Sequence, residues 1–383
     1  MARHYLDHAS TSPPRPEVAA AIADWLRAAP EHTGDPGRVH ADGRTVRAVI
    51  EAARDEVAAL FGVRPRQVIF TSGGTEAVNA ATWSATRARP GAPVVCAEVE
   101  HSAARDASAR AGAVAVAPCD RLGRVHAEAV ADVLGALEDR GTPAALVHCQ
   151  LANHEVGTVQ PVGEVVEVAR RFGAAVHVDA CAAAGQVPLA VDELGADYVS
   201  VSAHKLGGPP GAGALIVRRN LRVEPFVVGG EQERARRGGM ENVPGIVGFG
   251  AAAGALAGPG RLEGEAAAAR RRRDALAAAA SAVAGVEVLG DPDGRLPHIA
   301  CLGVGGVEAE PVLLGLDQAG ISAHSGSACS SESLAPSPVL AAMGADAERS
   351  LRLSVGWSST DADVEAFAAA FPGVVSALRA LRG

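Results

Sequence analysis

Lys205 is the only lysine in the chain; every other basic side chain apart from histidine is arginine. Arginine meets any need for a fixed positive charge, but its guanidinium stays protonated and cannot attack a carbonyl. A primary amine kept at one position, within Ser202-Ala203-His204-Lys205-Leu206-Gly207-Gly208-Pro209, therefore reads as a Schiff-base nucleophile. The apolar run Tyr198 to Val201 just before it is strand-like, which argues against a solvated surface lysine. Alone, the lysine fits either a pyridoxal phosphate enzyme or a Schiff-base aldolase.

Further motifs follow apolar runs along the chain. Ser72-Gly73-Gly74-Thr75-Glu76 is a glycine-rich turn entering a helix, where backbone N–H groups and the Thr75 hydroxyl make a phosphate cradle. It matches neither the Walker pattern nor the dinucleotide fingerprint, and in isolation an ordinary helix cap fits equally well. Glu100-His101-Ser102 follows another run, and a capped helix with an exposed histidine explains it as well as a ligand contact does. Asn153 stands in Leu-Ala-Asn-His-Glu-Val-Gly-Thr. Asp179 ends the apolar strand Val176-His177-Val178, where a carboxylate needs a cation or several donors. A pyridinium nitrogen is such a cation, and its pairing keeps the ring an electron sink. Cradle, carboxylate and lysine on successive strand ends describe a pyridoxal phosphate site. Cys329 lies in the small-residue loop Ser325-Gly326-Ser327-Ala328-Cys329-Ser330-Ser331, where an exposed thiol is reactive rather than structural. Arg352, flanked by apolar residues in Ser-Leu-Arg-Leu-Ser, suits a substrate carboxylate, with an internal salt bridge as the alternative.

The elements that must position these residues are legible from periodicity. Helical spacing covers 17–28 and 44–61, the latter stopped by Gly62. Strands at 67–71, 93–97, 113–117, 144–149, 175–178, 197–202 and 213–217 alternate with helices from 74 and from 102, at 126–139 and at 161–171. That alternation predicts an α/β domain with a mostly parallel sheet covered on both faces. The Gly-Pro-rich connection between the last two strands is too short for a parallel crossover, so one pairing there is expected to be antiparallel. An Ala-rich helical stretch at 244–284, broken near Gly258-Pro259-Gly260, leads to strands near 286–289, 297–304, 321–324 and 350–355 and helices at 310–318 and 361–381. This predicts a smaller α+β domain. Residues 16–255 are assigned to the large domain. Residues 1–15 and 256–383 are assigned to the small one, which carries the cysteine loop at about 323–336.

Composition narrows the function classes. The 383 residues carry a formal charge of −9, which argues against nucleic acid as a partner. The one compact basic run, Arg270 to Arg273, reads as a solvated helix face. The N-terminus lacks an apolar leader, and no run reaches the roughly 20 apolar residues of a membrane span, so a cytoplasmic location is expected. The six cysteines are widely spaced without C-x-x-C, excluding a disulfide framework or a zinc signature; no metal is expected. Cys96, Cys149 and Cys301 lie in apolar runs and read as inert core thiols.

Taken together, the motifs resemble the cysteine desulfurases of the class V aminotransferase family (pyridoxal phosphate fold type I), group I type. The resemblance runs nearly end to end. It covers Tyr5-Leu6-Asp7, Thr71 to Glu76, Glu100-His101, Asn153 to Gln160 and His177 to Ala180. It continues through Ser202 to Lys205, Gly229 to Val243, Ser325 to Pro338, and Ser350-Leu351-Arg352 with Gly356. It implies a seven-stranded sheet and a homodimer in which the Gly229 to Val243 segment reaches the neighbour's site. By the same resemblance Lys205 binds the cofactor covalently and moves the substrate α-proton. Gly74, Thr75, Ser202 and His204 hold the phosphate, His101 stacks on the ring, and Asp179 pairs with the ring nitrogen. Asn153 and Arg352 orient the carboxylate of L-cysteine. Cys329 takes the sulfur as a persulfide for a sulfur acceptor, leaving alanine.

The chain departs from the family pattern at informative places. Asp179-Ala180-Cys181-Ala182 lacks the glutamine that donates to the cofactor's phenolic oxygen. Gly239-Met240-Glu241-Asn242 lacks the threonine that contacts phosphate across the dimer. Asp35-Pro36-Gly37-Arg38-Val39-His40 replaces Asn-Pro-Ser-Ser-x-His, and Val78-Asn79 replaces an Asn-Asn pair. Two other readings use the same residues: a pyridoxal phosphate-dependent selenocysteine or cysteine lyase, and a non-catalytic sulfur-carrier scaffold.

Overall fold

Continuous Val, Ala and Leu runs become strands buried on both faces when helices cover the sheet, and such runs build the centre of this chain. The computed structural model describes residues 3–28, 33–325 and 336–381. A short strand β1 (His4–Tyr5) precedes helices α1 (Pro16–Arg27) and α2 (Ala41–Leu60). Strands and helices then alternate: β2 (Val68–Thr71), α3 (Gly74–Ala88), β3 (Val94–Ala97), α4 (Ser102–Ala111), β4 (Val114–Ala117), α5 (Ala127–Asp139) and β5 (Leu146–His148). They continue with α6 (Val162–Arg171), β6 (Ala175–Asp179), α7 (Val191–Leu194), β7 (Tyr198–Ser202) and β8 (Gly213–Val217). Every residue of β2, β3, β5, β7 and β8 is buried.

These strands form one seven-stranded sheet in the order β2-β8-β7-β6-β5-β3-β4. The expected antiparallel pairing of β7 with β8 is present, and β8 also runs antiparallel to β2. Because β8 is reversed against both neighbours, β2 points the same way as β7, β6, β5 and β3. With β4 parallel to β3, the carboxyl ends of six strands therefore open on one edge of the sheet, where open α/β sheets bind ligands. At the far side β4 is an edge strand, which leaves Val114 and Val116 exposed.

The later part of the chain begins with a short α8 (Gln232–Ala235), then α9 (Val243–Ala257) and α10 (Arg261–Ser281). The expected break falls at Gly258-Pro259-Gly260 and bends α9 from α10 by 83°. Gly260 sits at φ +70, a left-handed conformation that favours glycine. Among the described residues no single helix is long and apolar enough to cross a membrane. Beyond these helices come β9 (Val286–Leu289), β10 (Ile299–Val304), α11 (Ala309–Gln318), β11 (Ile321–Ser322), β12 (His324–Ser325), α12 (Pro338–Ala342), β13 (Ser350–Ser354) and α13 (Asp361–Ala380). An antiparallel sheet β12-β13-β10-β9 packs under α10, α11 and α13. β1 pairs with β11, and Leu6 joins the apolar cluster of Leu276, Phe367 and Phe371. The N-terminal segment thus belongs to the core of the C-terminal part while its continuation crosses to the large sheet.

One expectation needs correction here. The Arg270 to Arg273 run is not wholly a solvated face: Arg273 is buried, donating to the Leu296 carbonyl at 2.7 Å and to Asp274 at 2.6 Å. Arg272 is partly buried and pairs with Asp361 at 2.9 Å. A helix between two layers spends basic residues on loop carbonyls and a neighbouring helix's first turn, which linear charge clustering does not reveal.

Candidate active site

The carboxyl ends of β2, β5, β6 and β7 surround a cavity of about 260 Å³ lined by Gly74, Thr75, His101, Asp179, Ser202, His204, Lys205 and Arg352. The topology explains why residues more than a hundred positions apart meet. Each is the last residue of a strand or lies within four residues beyond one, or, for Arg352, is the centre of β13 in the adjoining sheet.

Lys205 lies in the short turn after β7 with its Nζ donating to the carbonyls of Ala9 (2.5 Å) and Ser10 (2.9 Å). Burial holds its pKa below the usual lysine range, helped by the nearby Arg352 charge. That is the direction a nucleophilic amine requires. His204 meets Thr11 Oγ1 at 3.2 Å and is pushed down to about 4, first by burial and then by Lys205; it is a neutral imidazole near pH 7.

The phosphate-turn geometry constrains side chains closely. A Cβ on Gly74 would come within 2.5 Å of Cys181 Sγ, and one on Gly213 within 2.7 Å of the Gly73 backbone. The turn must therefore be glycine for β8 and the cysteine to pass. Beside it Ser202 is 3 % exposed and its Oγ has no hydrogen-bond partner. A buried hydroxyl left unpaired costs about 1–3 kcal/mol, and a phosphate oxygen at the N-terminus of α3 would satisfy it. Asp179 accepts from Cys181 N–H at 2.9 Å through Oδ1. These residues fit pyridoxal phosphate: a buried acceptor-seeking hydroxyl, a helix N-terminus, a carboxylate and an amine converge on one cavity.

His101 caps α4, its Nδ1 accepting from Ala103 N–H at 3.0 Å. That bond places the ring proton on Nε2 and fixes the ring over the cavity. The His154 ring meets it edge-on, with centroids 4.9 Å apart and planes at 68°. Arg352 is 1 % exposed. It donates to the His154 carbonyl (3.0 Å), to Asp7 Oδ1 (2.9 Å) and to Ser10 Oγ (2.6 Å), and its Nε is buried without a partner. Both alternatives read from the sequence are thus compatible: the internal salt bridge with Asp7 exists, and it aims a guanidinium at the cavity.

Asn153 differs from expectation. It does not line the cavity; it is fully buried, with Oδ1 accepting from Glu155 N–H and Val156 N–H at 2.8 Å each and Nδ2 donating to the Val99 carbonyl at 3.1 Å. Its amide is committed to shaping the turn after β5. Cys329 lies outside the described residues. In the sequence Cys181 stands out only as the neighbour of a missing glutamine, yet it lines the cavity. Burial, then Asp179, pushes its thiol well above the usual range, leaving it protonated and a poor nucleophile. Cys96 and Cys301 are buried and raised to about 12, and Cys149 is raised well above its ordinary value, all first by burial, which matches inert core thiols. His154, Ser10 and Gln150 also face the cavity, and none of them carries a role in the sequence reading. His154 had a visible signal, a second ring-bearing residue directly after Asn153.

Glu100 lies beneath the site, fully buried, with Oε1 accepting from Gln150 N–H at 2.5 Å and Oε2 without a partner. Burial, reinforced by Asp179, raises its pKa to about 8. In the unfolded chain the carboxyl ionises in the ordinary acid range, so unfolding releases a proton at intermediate pH. This contribution to stability is complete below the unfolded pKa and is lost as pH rises through about 8. Glu100→Gln keeps the shape without the titration. Urea unfolding from about pH 5 to about pH 8 is expected to lose up to about 1.4 kcal/mol per pH unit of slope in the variant. Identical slopes would contradict this reading.

Comparison with known proteins agrees with this geometry. Residues 4–367 match the aminotransferase class-V family model, and the chain belongs to that family. Cysteine desulfurase IscS 1 of Archaeoglobus fulgidus is 38 % identical over 98 % of both chains. The IscS-like cysteine desulfurase of Mycobacterium tuberculosis is 39 % identical over 98 % of this chain and 97 % of its own. Among solved structures, the NifS-like protein of Rickettsia africae superposes with a TM-score of 0.87 at 26 % identity, covering 98 % of this chain and 99 % of that one.

Proposed function

We propose that this chain is a pyridoxal phosphate-dependent cysteine desulfurase that converts L-cysteine to L-alanine and carries the sulfur as a persulfide on Cys329. The convergence of Lys205, Asp179 and the unpaired Ser202 hydroxyl on one cavity with Arg352 carries the reading. When bound, pyridoxal phosphate supplies an electron sink for charge developing at the substrate α-carbon. Gly74, Thr75, Ser202 and His204 would hold its phosphate, Asp179 its ring nitrogen and His101 its face. Lys205, whose amine burial makes easier to deprotonate, would attach the cofactor and then hold and return the α-proton at Nζ. Arg352, braced by Asp7 and the His154 carbonyl, fixes the substrate carboxylate. Cys329 attacks the substrate sulfur: an S–S bond forms, the C–S bond breaks, and its electron pair stays on carbon, which is then protonated to give alanine.

Five described cysteines are free thiols, as suits the reducing cytoplasm proposed here. A homodimer is also part of this proposal. Val228 and Met240 are 76 % and 65 % exposed on the Gly229 to Val243 stretch and its edge, an apolar display that a partner would cover. That stretch is anchored on its own chain. The Glu233 carboxylate binds Arg54 with two contacts of 2.7 Å and accepts from Phe70 N–H at 3.0 Å. Those bonds hold Glu233, Arg234 and Ala235 at positive φ, a conformation that costs non-glycine residues energy and needs such anchoring.

The three arginines before Met240 are already engaged: Arg234 with Glu51, Arg236 with the Arg66 carbonyl, Arg237 with Glu76. Compensation for a missing threonine is therefore reduced. Met240→Thr is expected to tighten pyridoxal phosphate binding by up to about tenfold, read by titrating cofactor-free protein in phosphate-free buffer. Weaker binding would show that Met240 packs at the interface and that no phosphate contact is available there.

The function itself is tested by supplying L-cysteine to cofactor-loaded protein and assaying alanine. Sulfide release with Cys329 unmodified would favour the lyase reading, and a protein that stays colourless with added cofactor would favour the scaffold reading.

A further inference from the structure

Behind the cavity, a chain of four buried side chains runs from α3 across three strands. His148 on β5 and His177 on β6 are fully buried, with Nδ1 facing Nδ1 at 2.8 Å. His148 Nε2 meets Thr82 Oγ1 of α3 at 3.1 Å, and His177 Nε2 meets Ser200 Oγ of β7 at 2.7 Å. Burial holds both rings neutral, His148 at about 4 and His177 well below the usual histidine range. The proton positions then follow from the α3 end. Thr82 Oγ1 donates its one hydrogen to the Val78 carbonyl at 2.8 Å, so it accepts from His148 Nε2–H. His148 Nδ1 accepts from His177 Nδ1–H, and His177 Nε2 accepts from Ser200 Oγ–H. Each donor has an acceptor, and the chain runs in one direction.

Three members stand directly behind residues of the site. His177 is two positions before Asp179 on β6 and Ser200 two before Ser202 on β7, so each pair points to one face of the sheet. Thr82 follows Thr75 on α3 by seven positions, about two helical turns. Val78, whose carbonyl ends the chain, lines the cavity. The inner face of α3 is otherwise rich in alanine, with Ala77, Ala81 and Ala85 buried. Short side chains supply burial but little interlocking shape, so they leave the seat of the helix on the sheet loosely defined. A satisfied buried polar network defines it, because a slide leaves a donor unpaired. Farther from the phosphate turn, Ser84 Oγ meets Tyr198 OH at 3.1 Å, so cutting the Thr82 link leaves the helix docked.

We propose that His148 and His177 are positioning residues for the cofactor site, the chain from Thr82 to Ser200 fixing the seat of α3 on the sheet and so the separation of its phosphate turn from Asp179. This rests on the pyridoxal phosphate reading above. A rigid ligand held at both ends needs its two anchors set to within roughly 0.5 Å, and here the anchors belong to different elements. Thr82→Val keeps the shape but strands the His148 Nε2–H, Thr82→Ser retains the hydroxyl, and His148→Leu removes the centre of the chain.

The test titrates cofactor-free protein with pyridoxal phosphate, records the visible circular dichroism of the bound cofactor, and follows amide hydrogen exchange over residues 74–79 before cofactor is added. Thr82→Val and His148→Leu are expected to weaken binding about tenfold or more and to change the dichroic band. Both are expected to speed exchange over 74–79 at least about threefold, with Thr82→Ser within about twofold of wild type in affinity and exchange. The inference is overturned if Thr82→Val and His148→Leu bind and exchange as wild type does, or if Thr82→Ser fails as Thr82→Val does. Lowered urea stability with unchanged affinity and dichroism would make the chain a core contact only, and overturns it too. A wild-type protein that takes up no pyridoxal phosphate defeats the cofactor reading instead. The exchange comparison still decides the inference in that case: faster exchange in Thr82→Val supports it, and equal exchange overturns it.

Discussion

Lys205→Arg is expected to abolish covalent capture of pyridoxal phosphate and to lower alanine formation at least about a thousandfold. The guanidinium can replace the charge that the Ala9 and Ser10 carbonyls receive, so the fold and the cavity should persist. It cannot lose its proton and attack a carbonyl. Because the chain has no other lysine, no neighbouring side chain can substitute. Borohydride treatment of cofactor-loaded protein, followed by mass measurement, reads this directly: cofactor fixed to wild type, none fixed to the variant. A yellow, reducible Lys205→Arg protein would refute the assignment.

Cys329→Ser should separate binding from sulfur transfer. Pyridoxal phosphate affinity is expected to stay within about twofold and L-cysteine should still perturb the cofactor's absorbance, while alanine formation falls at least about a hundredfold. The cavity's own thiol cannot rescue the variant, since Cys181 is held protonated by burial and by Asp179. Near-normal alanine production from Cys329→Ser would place the enzyme among the lyases.

Much of this site was legible in the sequence because its chemistry sits at strand ends. Alternating apolar runs marked the strands, and Gly74, Asp179 and Lys205 then fell at or just beyond the carboxyl ends of β2, β6 and β7. What sequence could not show was commitment of side chains to partners distant in the chain. Asn153 resembles a ligand-binding amide, but its oxygen is spent on two backbone N–H groups of its own turn. Arg273 belongs to a basic run yet is buried on the Leu296 carbonyl. The second antiparallel pairing of β8 followed from β2 lying beside it, a long-range choice with no local signature. Glu155 and Ser337 meet across 182 positions, and neither residue type announces the contact.

The central claim is that this cavity moves sulfur from L-cysteine to Cys329. Its most direct test is a single-turnover reaction of cofactor-loaded protein with L-cysteine and no added acceptor, quantifying alanine and mapping peptide masses. The account predicts alanine in proportion to a mass gain of one sulfur atom on the Cys329 peptide, reversed by a thiol reductant, and no such gain on Cys181. Alanine formed without sulfur on Cys329, or sulfur found on Cys181 instead, would contradict it.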